Sequence, residues 1–236
     1  MSSKPARYAA SLIAVQLVAA CSDPGSTNAQ QNQRASVADE PVQQKVVASG
    51  KLVLAFGDSL YAGYGLPANQ GFAPKLEKAL RAAGIAATVQ NAGVSGDTTA
   101  AGRRRLEFTL DGLPRTPDLA IVGLGGNDML RGLDPAETEA NLRAICETLR
   151  KRGIDVVMTG MLAAPNLGNE YGSRFNGLFP RVAEQCGATL YPFFLAGVVT
   201  DSRLMLPDGV HPSGNGIDVI VTKVAPLISR ELQKAR

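Results

Sequence analysis

The chain has 236 residues, a formal net charge of +3 with its one histidine neutral, 45% hydrophobic residues, three cysteines and no tryptophan. That length and apolar content support one domain with a sizeable core, and the nearly balanced charge without interleaved aromatic and basic residues argues against nucleic-acid binding. One histidine and distant cysteines form no set with zinc-site spacing, so no metal and no cofactor are expected.

The chain opens with Lys4 and Arg7, an apolar run over 9–20 broken only by Ser11 and Gln16, and Val18-Ala-Ala-Cys21. A charged start, a short apolar region and small residues before a cleavage point form the layout of a secretory signal. The apolar run is too short to cross a hydrocarbon core of roughly 30 Å as a helix. Cysteine directly after Val-Ala-Ala resembles the lipobox of bacterial lipoprotein signals; the alternative is an ordinary secretory signal with an incidental cysteine. The resemblance implies that residues 1–20 are a lipoprotein-type signal peptide and that Cys21 becomes the lipidated N-terminus. Residues 21–49, rich in Ser, Asn, Gln, Ala and Asp, cannot bury enough apolar surface to offset ordering entropy and read as a flexible tether. The expected location is the bacterial cell envelope, with residues 50–236 as the folded domain in the periplasm or at the surface.

Leu52–Phe56 is a short apolar run ending at Gly57, a buried strand. Pro74–Ala83 carries Leu76, Ala79, Leu80 and Ala83 at helical spacing, with Gly84 as the stop. A weaker strand is expected over Ala87–Gln90, a helix over Thr98–Leu110 and a third strand over Asp118–Val122. The best-signalled helix starts after Asp134, with Pro135 at its first position and Glu137 in its first turn, and ends at Gly153. Asp155–Met158 and Leu190–Phe193 supply strands four and five, a helix near Phe179–Gln185 lies between them, and a last helix runs from Ser213 toward Leu232. Alternating strands and helices predict an α/β fold: a three-layer α/β/α sandwich with a five-stranded parallel sheet and right-handed crossovers. Cys146 and Cys186 both fall on expected helices; a disulfide and two free thiols are both open. Arg103-Arg104-Arg105, the densest basic spot, reads as a solvated helix face.

In open parallel sheets, ligands bind beyond the carboxyl ends of the strands. Four polar clusters fall there: Gly57-Asp58-Ser59, Ser95-Gly96-Asp97, Gly126-Asn127-Asp128 and Asp208-Gly-Val-His211. Ser59 would sit exposed on a strand-to-helix turn, and a serine hydroxyl needs a base to become a nucleophile. His211 is the only imidazole and therefore the only candidate for that base. The base needs a carboxylate on its other nitrogen; Asp208 is nearest in sequence, with Asp201, Asp128 and Asp97 as competitors. Donors for an oxyanion are available from the Ser59 N–H, from Gly96, where backbone can approach closely, and from the Asn127 amide.

These four blocks, Gly57-Asp-Ser-Leu60, Val94-Ser-Gly-Asp-Thr98, Gly125-Gly-Asn-Asp128 and Asp208-Gly-Val-His-Pro212, resemble in order those of the SGNH (GDSL) hydrolases, from Leu52 to about Leu232. The resemblance implies a flavodoxin-like fold, with Ser59 as nucleophile, His211 as base and Asp208 orienting it. It also implies Ser59, Gly96 and Asn127 as oxyanion donors and Asp58 as a structural brace of the turn. The wording Leu124-Gly-Gly-Asn-Asp-Met-Leu-Arg-Gly132 and Phe175-Asn176 with Phe179-Pro180 is similar to the bacterial thioesterase/arylesterase/lysophospholipase branch. The expected substrates are therefore acyl esters, thioesters or lysophospholipids. Leu130, Leu133, Leu162 and Leu167, on two loops of the same rim, are candidate acyl-chain contacts, although loop leucines also serve simply to cover a core. Alternatives are a carbohydrate or cell-wall O-acetylesterase of the same superfamily, and a non-catalytic surface-binding lipoprotein. Gly123-Leu-Gly-Gly126 lacks the spacing of a dinucleotide fingerprint.

Overall fold

The computed structural model describes residues 50–234; the expected signal peptide, Cys21 and tether lie outside the described residues. The described chain alternates strands and helices, and its five strands form one all-parallel sheet in the order β2-β1-β3-β4-β5. The strands are β1 (Lys51–Gly57), β2 (Ala87–Gly93), β3 (Leu119–Gly123), β4 (Asp155–Thr159) and β5 (Thr189–Tyr191). Every residue of β3, and all of β1 except Lys51, is buried, the signature of central strands covered on both faces. β2 instead alternates, with Ala87 and Val89 buried and Thr88 and Gln90 exposed, as suits a sheet edge.

The helices are α1 (Ser59–Ala62), α2 (Phe72–Ala82), α3 (Thr99–Asp111), α4 (Gly126–Leu130), α5 (Pro135–Lys151), α6 (Asn169–Cys186) and α7 (Gly214–Lys234). α2 packs against α7, while α5 packs against both α3 and α6. Right-handed crossovers put these two groups on opposite faces of the sheet. Each presents one apolar stripe: Leu76 and Leu80 from α2, Leu142, Ile145 and Leu149 from α5, Ile217, Ile220, Val224 and Ile228 from α7, all fully buried. Among the described residues no helix is long and apolar enough to cross a membrane.

Several boundaries differ from the sequence reading. β2 continues to Gly93 because its outer half still pairs with β1, Phe56 against Ala92 and Gly57 against Gly93. The fifth strand is Thr189–Tyr191 rather than Leu190–Phe193, since only those residues pair with β4 before Pro192 breaks the ladder. α6 starts at Asn169, well before the expected Phe179, with Pro180 inside it. Cys146 of α5 and Cys186 of α6 are joined in a disulfide. Arg105 is not simply solvated: its side chain is 21% exposed and engaged in an ion pair with Asp97.

The carboxyl ends of β1 and β3 are shaped by one buried aromatic side chain. A Cβ on Gly57 would lie 2.5 Å from the Tyr61 ring, and one on Gly123 would lie 2.1 Å from it. Only glycines let that ring settle over the strand ends. Thr159 donates to the Val122 carbonyl, so the Tyr61 hydroxyl donates to Thr159 at 2.8 Å, and burial pushes the phenol pKa up. The floor beneath the site is thereby closely packed and satisfied in its hydrogen bonds.

Candidate active site

Ser59 is the first residue of α1, one residue past the end of β1, with Asp58 between them as the N-cap. Asp58 caps this short helix: its Oδ1 accepts from the Leu60 N–H at 3.0 Å and its Oδ2 from Asn127 Nδ2 at 3.4 Å. Burial pushes the Asp58 carboxyl up to about 6, against the opposing pull of the Leu60 N–H. Its contacts are those of a brace for the Ser59 turn, with one hand on α4.

His211 reaches Ser59 across the sequence. Its Nε2 stands 2.8 Å from Ser59 Oγ, and its Nδ1 stands 2.7 Å from Asp208 Oδ2. Asp208 Oδ1 also accepts from the Val210 and His211 N–H groups, at 2.9 and 3.0 Å. The His211 N–H first, then that of Val210, holds the Asp208 carboxyl down at about 2. An ionised Asp208 makes Nδ1 the donor, which leaves Nε2 as an acceptor facing the serine proton. The turn itself is pinned, because Gly209 N–H donates to Leu206 O and Leu206 N–H donates to His211 O.

The three competing carboxylates are committed elsewhere. Asp201 takes Arg203 at both oxygens, Asp97 takes Arg105, and buried Asp128 accepts from the Thr99 N–H and hydroxyl and from Thr138. Asp128 thereby ties the start of α3 to α4 and fixes the turn that presents Asn127. Gly96 adopts a left-handed backbone (φ +84) at the edge of the same opening, where a side chain would be strained. Among the described residues no acceptor within the chain engages the N–H of Ser59 or of Gly96. The Arg131 guanidinium donates to the Gly96 carbonyl at 2.8 Å.

These groups open onto a cavity of about 720 Å³ that Ser59, Gly96, Asn127 and His211 all line. Leu130 and Leu162 line it as expected, but Leu133 and Leu167 do not. Leu167 instead packs on the core, and Leu133 lies past the turn, its carbonyl accepting from Tyr171. Side chains that sequence pattern did not single out complete the wall: Met129, Met161, Phe193, Leu195 and Val199. Tyr64 was also missed; its ring sits 4.4 Å from the imidazole, centroid to centroid. Apart from Met129, which lies inside the Leu124–Gly132 wording on α4, no motif marks these positions, because they come from connections whose paths only the tertiary fold fixes. The Met161–Pro165 wall is anchored by the Ala163 N–H donating to Asn176 Oδ1 at 2.7 Å and by the Ala164 N–H meeting Met129 Sδ at 3.1 Å. Among the described residues no group of three or more His, Cys, Asp or Glu side chains stands close enough to hold a metal ion.

A parallel α/β sheet whose carboxyl edge carries a hydroxyl, an imidazole and a carboxylate in one row has the geometry of an acyl-transfer hydrolase. The chain belongs to the GDSL-like lipase/acylhydrolase family, whose model matches residues 55–219. It is 39% identical to an arylesterase of Vibrio mimicus over 78% of this chain and 91% of that one. It is 30% identical to thioesterase 1/protease 1/lysophospholipase L1 of Escherichia coli, covering 78% and 88%. Among solved structures, the SGNH-hydrolase family esterase AlinE4 shares 49% identity at a TM-score of 0.67, covering 77% of this chain and 96% of that one. These likenesses make the chain an ester-hydrolysing enzyme of SGNH type.

Proposed function

We propose that the protein is a serine esterase for fatty acyl esters and thioesters, lysophospholipids included, working through an acyl-enzyme on Ser59. The observation that carries this reading is the unbroken row Asp208 Oδ2, His211 Nδ1 and Nε2, Ser59 Oγ, at 2.7 and 2.8 Å. In the first half, Ser59 Oγ attacks the acyl carbonyl while its proton passes to His211 Nε2. The negative charge that develops on the carbonyl oxygen is met by the N–H groups of Ser59 and Gly96 and by the Asn127 amide. His211 then returns the proton to the leaving oxygen or sulfur, and the acyl group stays on Ser59. In the second half, His211 takes a proton from water, whose oxygen attacks the acyl-enzyme, and the carboxylic acid leaves as Ser59 regains its proton.

The cavity wall supports fatty acyl groups. Leu130, Leu162, Met129, Met161 and Phe193 offer apolar surface, and about 720 Å³ is far more room than an acetyl group fills. A carbohydrate site would be expected to offer many more convergent polar groups. For the cell, the lipobox-like Cys21 and the polar segment after it support an exported, lipid-anchored enzyme, with residues 50–236 as the catalytic domain in the envelope.

The test is a panel of 4-nitrophenyl esters from acetyl to palmitoyl on wild type, Ser59→Ala and His211→Ala. Either substitution is expected to lower kcat by at least about 10⁴-fold. Undiminished turnover in either variant sinks the mechanism. Activity that collapses beyond acetyl and propionyl would replace the fatty acyl reading with an acetylesterase. Metabolic labelling with a palmitate analogue, lost in Cys21→Ala, tests the anchor.

A further inference from the structure

The Arg103-Arg104-Arg105 triplet has no part in the chemistry above, yet its last member is built into the site. Arg103 and Arg104 are exposed on α3, whereas Arg105 turns inward and lays its guanidinium over the Phe56 ring, 4.1 Å from the centroid. Its Nε donates to Asp97 Oδ2 at 2.6 Å and its Nη2 to the Gly57 carbonyl at 3.0 Å. Gly57 stands two residues before Ser59, and Asp97 directly follows Gly96. One planar fork therefore clasps the two chain segments that carry the two backbone oxyanion donors.

We propose that Arg105 is a positioning residue: by bridging Gly57 and Asp97 it sets the separation of the Ser59 and Gly96 N–H groups. This inference rests on the oxyanion roles given to those groups above. Backbone contact ties the two segments only as far as Gly93, which lies against the Tyr61–Ala62 backbone of α1, and Val94. The last bond along the β1–β2 edge is the Val94 N–H on the Gly57 carbonyl, and beyond it Ser95-Gly96-Asp97 leaves the sheet. The loop is then held by Arg131 on the Gly96 carbonyl, by an Asp97-to-Val94 turn bond, by Asp128 on Thr99 and by the Arg105 pair. Of these, only Arg105 refers the loop directly to Gly57, the last residue of β1, two residues before Ser59. Its delocalised fork, stacked on Phe56, holds two acceptors at a fixed angle; a lysine ammonium, a point charge on a flexible stem, has no such geometry. Oxyanion donors act by being in place before charge develops, so a displacement below an ångström reaches the transition state and barely touches ground-state binding.

The experiment uses the full chain, active-site-titrated with a fluorophosphonate so that kcat refers to competent sites only. Arg105→Met, Arg105→Lys, Asp97→Asn and the double variant Arg105→Lys/Asp97→Asn are compared with Arg104→Met on 4-nitrophenyl octanoate. Arg105→Met is expected to lower kcat about 10- to 100-fold with KM within threefold, and Lys to restore only part of it. A trifluoromethyl ketone, whose hemiketal oxygen mimics the oxyanion, should bind more weakly in step with kcat. Arg104→Met should match wild type. Should Arg105→Met fold poorly, Arg105→Lys and Asp97→Asn carry the test: each loses kcat, and the double variant loses no more than the worse single one. A kcat per titrated site within twofold of wild type in these variants, with only Tm reduced, overturns the inference and leaves a purely structural pair. An inactive wild type overturns the esterase reading along with it, and the two failures are thus distinct.

Discussion

Asp208 and Asp58 are two carboxylates near one imidazole with opposite environments. Asp208 is partly exposed and accepts three hydrogen bonds, which hold it down at about 2; it is ionised throughout any working pH. Its depressed pKa contributes stability above its ordinary carboxyl value, lost only as pH falls toward about 2. Acid inactivation at pH 5 to 6 therefore cannot come from Asp208. Asp208→Asn leaves the turn bonds a carbonyl acceptor but removes the charge that fixes the imidazole proton on Nδ1. We expect kcat to fall about 10²- to 10⁴-fold, the lower figure reflecting a position water can reach. Asn127→Ala removes one of the proposed oxyanion donors and should cost about 10²- to 10³-fold in kcat with little change in KM. Steady-state kinetics on octanoyl and butyryl esters check both; an Asn127→Ala enzyme that lost only KM would assign that amide to substrate binding instead.

At the scale of elements, the strands and the fold class were legible because a parallel sheet buried on both faces forces continuous apolar runs, as in Leu52–Phe56 and Leu119–Val122. The two helices that carry the site were not legible as helices. α1 and α4 have four and five residues, too few for a periodicity, and exist because Asp58 caps one and Asp128 and Asn127 brace the other. α6 begins ten residues before the expected Phe179, and Phe175, Leu178, Phe179 and Val182 follow the helical spacing across Pro180. Disulfide pairing was undecided, since separation in sequence says nothing of where α5 and α6 pack. The Cys146–Cys186 bond closes a loop with a sequence separation of 40. Cys186 lies just before the amino end of β5, at the opposite pole from Ser59. Cys146→Ala/Cys186→Ala should therefore lower stability by about 2 to 4 kcal/mol and Tm by roughly 5 to 15 °C, while leaving kcat at 25 °C unchanged. Differential scanning calorimetry with parallel kinetics decides it; an equal loss in kcat would mean the bond also shapes the cavity.

At the scale of the whole molecule, the four motifs pointed to an ester hydrolase and the fold brings their residues together, but the cost of assembly was invisible in the sequence. Gly57-Asp58-Ser59 reads as a turn with a useful serine; only the packed structure reveals that Asp58 is 3% exposed, beneath the site and close to Asp128. A carboxyl raised from 3.8 to about 6 binds its proton more tightly in the folded than in the unfolded chain. The folded state therefore takes up a proton between those values, and this group's share of the stability falls as pH rises from about 4 to about 6. Above 6 the full penalty stands, at most about 3 kcal/mol. Asp58→Asn keeps an N-cap oxygen for the Leu60 N–H and removes the charge. Urea unfolding should find that variant more stable than wild type at pH 7.5, with the gap narrowing through pH 6 and closing near pH 4. A gap independent of pH would mean that Asp58 is not the group titrating there. The wild-type aspartate then represents stability given up at the foot of the site, where a carboxylate holds the Asn127 amide and the Ser59 turn to one geometry.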